Sequence, residues 1–441
     1  MNKGGTTVKL NRPLIRAIFI FILRKKDEKM NLFDDLKWRG LTYAMTDPSI
    51  EQVLNNEKVT FYLGADPTAD SLHVGHLLAY LVAKRLMIAG HKPILVIGGG
   101  TGLIGDPSFK NAERQLLTIE TSLSNAAGIT RQVQKLLPNA NVVNNYDWLS
   151  SLNAIEFLRD IGKNFNVSYM MSKDSVKSRI ENGISFTEFS YQIIQAWDFE
   201  HLYDKYHCTM QIGGQDQWGN ITSGLELIRK VHGADAKAYG FTFPLVTKAD
   251  GTKFGKSESG AVWLDPEKTS PYDFYQYWIN TADEDVVTRL KQFTFLSKED
   301  ILSIDNELLV HPELRNAQKI LARELTELVH GKKALDEAEH ITHALFSGSI
   351  ETLTVEEIEM GFKDLLGLVV DNDQPIIDLL INTHLVQSKR EARELLQSGA
   401  ISVNGIKIAD MNELIKKDNA IGGQYSVIRK GKKKYVLVKH L

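Results

Sequence analysis

One cysteine, Cys208, in 441 residues excludes an intrachain disulfide, so burial and hydrogen bonding must hold this chain together. Thiols this sparse suit a reducing compartment, and the expected location is cytoplasmic. Charge of one sign is also missing: 52 Lys and Arg against 55 Asp and Glu leave a net charge of -3, so any nucleic-acid surface must be local. No apolar run is long enough to cross a bilayer. Residues 14–23 come nearest, but they are too short and no small-residue cleavage site follows. Residues 1–29 read as an appended, disordered or mis-started extension, because Met30-Asn-Leu-Phe-Asp-Asp begins an ordinary helix pattern. What remains, 43% hydrophobic and 24% charged, can bury a large core and should form two or three domains.

The most informative segment runs from Tyr62 to His76. Residues 59–63 are β-branched and aromatic, Asp66-Pro67-Thr68 is turn chemistry, and from His76 apolar residues recur at helical spacing (Leu77, Tyr80, Leu81, Leu86) until Gly90. His73 and His76 therefore fall at a helix N-terminus, where free amides and the helix dipole favour an anion. Gly75 permits close backbone approach, and both imidazoles can donate to phosphate oxygens. The blander readings are a capped helix start or half of a metal site, although no Cys or carboxylate at metal spacing completes one nearby. About 180 residues later, Lys253-Phe-Gly-Lys-Ser257 offers lysines able to reach a pyrophosphate leaving group.

Two motifs mislead. Gly100-Thr-Gly-Leu-Ile-Gly105 satisfies a dinucleotide fingerprint and follows an apolar strand, yet Asp106-Pro107 stands where a helix should open. Gly255-Lys256-Ser257 ends like a phosphate-binding P-loop, but Asp250 occupies the first glycine position.

From Met30 to about 246 strands alternate with helices, which predicts an α/β, Rossmann-like, doubly wound parallel sheet with active loops at the strand C-terminal ends. Residues 187–203 read as a buried, aromatic-rich helix. Residues 210–220 read as strand, glycine turn and helix start, with Gly213 and Gly214 allowing close approach and Asp216 placed for a ribose. Residues 247–350 hold the lysine loop and then helices, the first capped by Ser270-Pro271 and others over 297–309, 312–330 and 333–345. An acidic stretch, 351–374, reads as a solvated linker. From 375 to 441 the chain reads as a small basic α+β unit: Ser388-Lys-Arg-Glu391 is a capping box, Val403-Asn404-Gly405-Ile406 a hairpin turn, and 427–438 strands around Lys430-Gly-Lys-Lys-Lys434. A basic helix beside basic β-loops is an electrostatic footprint for a phosphate backbone, with Lys389, Arg390 and Arg393 as RNA-binding candidates.

Residues 66–76 resemble the HIGH segment, and Lys253-Phe-Gly-Lys-Ser257 the KMSKS loop, of the bacterial tyrosyl-tRNA synthetases, a family of class I aminoacyl-tRNA synthetases; the tail resembles an S4 RNA-binding module. The motifs occur in the family's order, and the resemblance covers nearly the whole chain from Met30. It implies a tyrosine–tRNA ligase that takes L-tyrosine, ATP and tRNA(Tyr), with Mg²⁺ arriving on ATP and no dedicated metal site. It further implies a homodimer joined through residues 140–200. By motif, Tyr62 and Asp198 match groups on the substrate phenol, while Tyr191, Gln195 and Asp106 match groups on its α-amino nitrogen, with Gln217 near the same pocket. Asp66, Gly64, Gly214 and Asp216 match adenylate contacts. Thr68, His73 and His76 match ATP phosphate contacts, and Lys110, Arg114, Lys253 and Lys256, with Ser257 beside them, match pyrophosphate and ATP contacts. Tyr191, Gln195 and Asp198 fall at i, i+4 and i+7 and share one helix face, where a core stripe would seldom place Gln and Asp. Three rivals are a tryptophanyl-tRNA synthetase, a small-molecule adenylyltransferase and an RNA-binding scaffold without catalysis. The phenol-type pocket disfavours the first, the helical region and basic tail the second, and the intact His and Lys motifs the third.

Overall fold

The structure is a computed structural model that describes residues 30–108, 116–173, 176–177, 179, 183–247, 254–257, 260–362, 365–431 and 434–441. Its first unit is built on a six-stranded sheet: β1 (Ala44–Met45), β2 (Thr60–Ala65), β3 (Lys92–Ile97), β4 (Asn141–Asn144), β5 (Cys208–Gly214) and β6 (Tyr239–Phe243), in the order β1-β6-β5-β2-β3-β4. All neighbours run parallel except β1, which is antiparallel to β6 at the edge. Phe61, Tyr62 and Leu63 of β2, and residues 94–97 of β3, are buried without alternation. Continuous burial is what a parallel sheet covered on both faces demands. From β2 the chain moves outward through β3 and β4, then returns to lay β5 on the other side of β2. The strand order therefore reverses between β2 and β5, and the crevice beyond their C-terminal ends is where open α/β sheets bind ligands.

Four helices pack against this sheet: α1 (Val74–Ile88), α2 (Ile119–Leu136), α3 (Phe186–Tyr206) and α4 (Trp218–His232). Helices α3 and α4 pack closely because Gly224 faces Phe199; a Cβ there would lie 2.9 Å from the ring. Beyond the sheet come α5 (Pro271–Ile279), α6 (Asp283–Phe293), α7 (Lys298–Val310), α8 (Asn316–His330) and α9 (Lys332–Ser347). Ser270 caps α5 with proline at its first turn, as its sequence predicts. The run expected over 312–330 is interrupted, because Arg315 adopts a left-handed φ of 51° between a short 3-10 turn and α8. One apolar core extends from Phe33 through the sheet to Ala338, so the sheet and the helices beyond it pack against each other. Buried Arg39 reinforces the junction by donating to the carbonyls of Lys291, Thr294 and Leu296.

The acidic stretch 351–374 is not a solvated linker. It contains α10 (Val355–Phe362) and β7 (Leu366–Val370), and β7 is an edge strand of the C-terminal sheet. Reading its carboxylates as a charge run overlooked an apolar stripe, Val355, Ile358 and Phe362, at helical spacing. One carboxylate is itself buried: Glu357 meets His340 Nδ1 at 2.7 Å and accepts from the Thr354 N–H at 2.8 Å. The remaining strands, β8 (Ile401–Val403), β9 (Ile406–Lys407), β10 (Tyr425–Lys430) and β11 (Lys434–His440), complete the order β9-β8-β10-β11-β7. Asn404 and Gly405 both take positive φ, 49° and 83°, which is the backbone a tight hairpin turn needs. Helices α11 (Ile376–Asn382) and α12 (Lys389–Gln397) cover this sheet. Ser388 caps α12, while Glu391 reaches back to the Gln387 N–H rather than to Ser388.

Candidate active site

A cavity of about 270 Å³ opens at the reversal point between β2 and β5. Strand β2 and its turn contribute Tyr62, Gly64, Asp66 and Thr68; α1 contributes His76; the loop after β3 contributes Asp106; α3 contributes Tyr191, Gln195 and Asp198; and the turn after β5 contributes Gly214, Asp216 and Gln217. These twelve expected residues, spread over more than 150 positions, meet because parallel strands all present their C-terminal ends on one side.

At the closed end lie Tyr62 and Asp198, 2% and 3% exposed. Asp198 accepts from Trp148 Nε1 at 2.8 Å and from Asn145 Nδ2 at 2.8 Å. Burial nevertheless outweighs these donors and pushes its carboxyl up to about 7. The Tyr62 phenol is held well above its ordinary value, first by burial and then by the Asp198 charge, so it remains a hydroxyl at neutral pH. That hydroxyl has no hydrogen-bond partner among the described residues, and neither do the side-chain carbonyl oxygens of Gln195 and Gln211, which line the same cavity. Orphaned buried polar atoms are costly and rare, and three around one cavity call for a polar ligand.

Nearer the mouth, two carboxylates are fixed by neutral donors. Asp66 accepts from Thr101 Oγ1 at 2.7 Å and Tyr191 OH at 2.9 Å; Asp106 accepts from the Ser108 N–H at 2.9 Å and Gln217 Nε2 at 2.8 Å. Gln195 Nε2 donates to Gln217 Oε1 at 3.3 Å, which joins α3 to the Asp106 group. Asp66, expected at the adenylate, thus shares a hydrogen bond with the α-amino candidate Tyr191. Such a wall of acceptors suits an ammonium group.

The histidines turn out to serve the bland and the functional reading together. His73 is the N-cap of α1, with Nδ1 accepting from the Gly75 N–H at 3.1 Å, and His76 Nδ1 accepts from the His73 N–H at 3.3 Å. Each Nδ1 is therefore an acceptor, which fixes the proton of a neutral ring on Nε2 and makes Nε2 a donor. The rings stack with centroids 3.9 Å apart. Of the two, His76 is among the residues lining the cavity and His73 is not. A Cβ at 75 would come within 2.8 Å of the His73 ring, so a side chain there would displace the cap.

The second motif docks on this same helix start. Gly255 has φ 89°, and a side chain there would lie 3.1 Å from the Gly75 nitrogen. Val74 N–H donates to Val262 O at 2.9 Å and Leu264 N–H to Leu72 O at 2.8 Å. The segment 262–264 after the lysine motif is thereby paired with residues 72–74 at the start of α1. The backbone of Lys256–Ser257 pairs with Gly260–Ala261. Lys110, Arg114 and Lys253, and the side chains of Lys256 and Ser257, lie outside the described residues.

On α12, Lys389, Arg390 and Arg393 are exposed, with Lys389 3.5 Å from Asp378 and Arg390 2.9 Å from Glu394. Sequence reasoning missed Thr101, Asn145, Trp148 and Gln211. Nothing local marks them: Asn145 and Trp148 occupy an ordinary polar turn after β4 and reach Asp198 across about 50 residues. Among the described residues, no group of three or more His, Cys, Asp or Glu side chains is arranged to hold a metal, and no helix is long and apolar enough to cross a membrane.

Comparison with known proteins gives two family matches. Residues 54–347 match the model of "tRNA synthetases class I (W and Y)", and residues 357–438 that of the "Tyrosine--tRNA ligase SYY-like C-terminal domain". The chain is 54% identical over 419 residues to the tyrosine–tRNA ligase of Geobacillus stearothermophilus, covering 93% of this chain and 100% of the relative. It has the same 54% identity and coverage with tyrosine–tRNA ligase 1 of Bacillus anthracis. Among solved structures, a C-terminally truncated mitochondrial tyrosyl-tRNA synthetase of Aspergillus nidulans superposes with a TM-score of 0.66 at 31% identity, over 73% of this chain and 96% of that one.

Proposed function

We propose roles for the cleft from the premise that this chain belongs to the class I tRNA synthetases of the tryptophan and tyrosine type, and within them to the tyrosine–tRNA ligases. It activates L-tyrosine with ATP and then passes the tyrosyl group to the 3′-terminal ribose of tRNA. In the first step a carboxylate oxygen of tyrosine bonds to the α-phosphorus as the bond to the β-phosphate oxygen breaks, and pyrophosphate departs. In the second, a ribose hydroxyl attacks the tyrosyl carbonyl and AMP departs. Neither step requires a nucleophile from the protein, because the substrates bring their own. What the chain supplies is position and complementary charge.

The observation that carries this reading is the orphaned Tyr62 hydroxyl beside Asp198. A phenol oxygen placed between them donates to the carboxylate and satisfies Tyr62, whereas a bare phenyl ring leaves the Tyr62 hydroxyl buried without a partner. Tyr191, Asp66, Asp106 and Gln195 then face the substrate ammonium. Gly64, Gly214 and Asp216 face the adenylate, Thr68 and His76 face the ATP phosphates from the cavity wall, and His73 at the dipole end of α1 is assigned to the same phosphates by motif. Lys110, Arg114, Lys253, Lys256 and Ser257 are assigned to pyrophosphate and ATP by motif. Mg²⁺ enters as part of the Mg·ATP substrate.

The division of labour proposed for the chain places both chemical steps in residues 30–246, loop support in 247–350, and tRNA docking on the basic C-terminal unit through Lys389, Arg390 and Arg393. We assign the site of action to the cytoplasm, in keeping with the lone buried Cys208. We also propose a homodimer joined within residues 140–200, where Ile155, Leu158, Val167 and Phe186 expose more than half of their surface. Sedimentation at the mass of a single chain at micromolar concentration would refute the dimer.

Tyrosine-dependent exchange of pyrophosphate into ATP tests the central reading. Exchange is expected with tyrosine and not with phenylalanine, tryptophan or no amino acid. Equal exchange with tryptophan would sink the assignment of the phenol pocket.

A further inference from the structure

The donors that hold Asp198 need holding themselves. Trp148 comes from a four-residue helix, Tyr146–Leu149, after β4, an element too short to impose a side-chain direction by its own stability. Its indole must nonetheless keep Nε1 2.8 Å from Asp198 Oδ1. The ring that fixes it belongs to α3. His201 lies face to face on Trp148, with centroids 4.6 Å apart and planes inclined by only 16°. It stands three residues after Asp198, one turn along the helix on the same side. Helix α3 thus carries both the carboxylate that receives the indole N–H and the plate that pins the indole plane.

We propose that His201 is a positioning residue for tyrosine recognition, acting through Trp148 on Asp198. This rests on the phenol-pocket reading above. The indole has one strong polar handle and a large flat face, so a single hydrogen bond leaves it free to rock about that bond. Contact across the face removes this freedom, and offset or parallel ring contact is worth having beyond area alone. If the plate is lost, Trp148 rocks, Asp198 loses a well-aimed donor, and the acceptor for the substrate phenol loses its direction. ATP binds at the other end of the cleft and is untouched by this. Trp197 and Tyr206 flank His201 at 6.3 Å each, and Glu200, Asp204 and Lys205 lie nearby, so the imidazole sits at a half-buried margin. Burial holds its pKa below the usual imidazole range, which leaves a neutral ring against the indole at neutral pH.

The test is steady-state pyrophosphate exchange by the full chain carrying His201→Ala, His201→Leu or His201→Phe. Wild-type exchange in the same assay reports on the phenol-pocket reading itself. Alanine and leucine should each raise the KM for tyrosine by roughly three- to tenfold, the range set by one aromatic contact, with the KM for ATP and kcat unchanged. Phenylalanine should restore the wild-type KM, because it returns a flat face. Leucine keeps bulk without a face, so it remains informative if the alanine variant does not fold. An unchanged KM for tyrosine in the leucine variant, an equal rise in the KM for ATP, or failure of phenylalanine to rescue would overturn the proposal.

Discussion

Asp198 enters the folded state with its carboxyl raised from 3.8 to about 7, chiefly by burial. A group whose folded pKa lies above its unfolded value binds more protons when folded. Between about pH 4 and pH 7 stability should therefore fall as pH rises, and level off above. Recognition runs the other way, because the substrate phenol donates to the ionised carboxylate. The KM for tyrosine is expected to drop as pH rises through about 7, while the KM for ATP stays flat across the same range. Asp198→Asn should flatten both profiles and raise the KM for tyrosine at all pH values. A KM for tyrosine independent of pH between 5.5 and 8 in the wild-type protein would contradict this assignment. Tyr191 is a second raised phenol, lifted by burial and by the Asp66 and Asp106 charges, and so stays a donor to Asp66 throughout.

Helix α1 combines two roles at its first turn, and substitution can separate them. Asparagine ranks among the best N-cap residues, so His73→Asn should keep the helix start and hold stability within about 0.5 kcal/mol. It lacks the Nε2 donor. A hydrogen bond to a charged group contributes about 1.5–3 kcal/mol, so single-turnover tyrosine activation should slow by roughly ten- to hundredfold. Unchanged activation with asparagine would mean that His73 only caps the helix. The capping pattern of this turn was legible in the sequence as His-x-x-His before an apolar run. The docking of Val262–Leu264 on residues 72–74 was not, because it joins segments 190 positions apart.

The whole molecule is more continuous than its composition implies. A third apolar cluster joins Ile341 and Ala344 of α9 to Ile358 and Phe362 of α10 and to Tyr425, Val427 and Leu437 of the C-terminal sheet. Tyr435 OH donates to Leu345 O at 2.9 Å and Tyr425 OH to Glu359 at 2.7 Å, so the basic unit is seated on the helices rather than tethered to them. Deleting residues 351–441 should spare tyrosine-dependent exchange and abolish tRNA charging. It should also lower the melting temperature by several degrees, since uncovering even one or two large side chains forfeits about 1.5–3 kcal/mol each. Charging that survives the deletion would refute the RNA role of the tail, and an unchanged melting temperature would refute its structural role.

By itself the sequence determined the alternation of strands and helices over residues 30–246, where α1, α5 and α12 begin, and twelve of the residues that share one cleft. Those features follow from periodicity, caps and motif order, which act within a few residues or are carried intact by the family pattern. Tertiary structure alone decided that Asn145 and Trp148 aim Asp198, that Thr101 shares Asp66 with Tyr191, and that residues 366–370 become the edge strand of the C-terminal sheet. Each of these depends on sheet register and on burial between distant elements, and neither is written in any local run of residues. The physical reason is the same throughout: a side chain's type is local, but its partner is chosen by the fold.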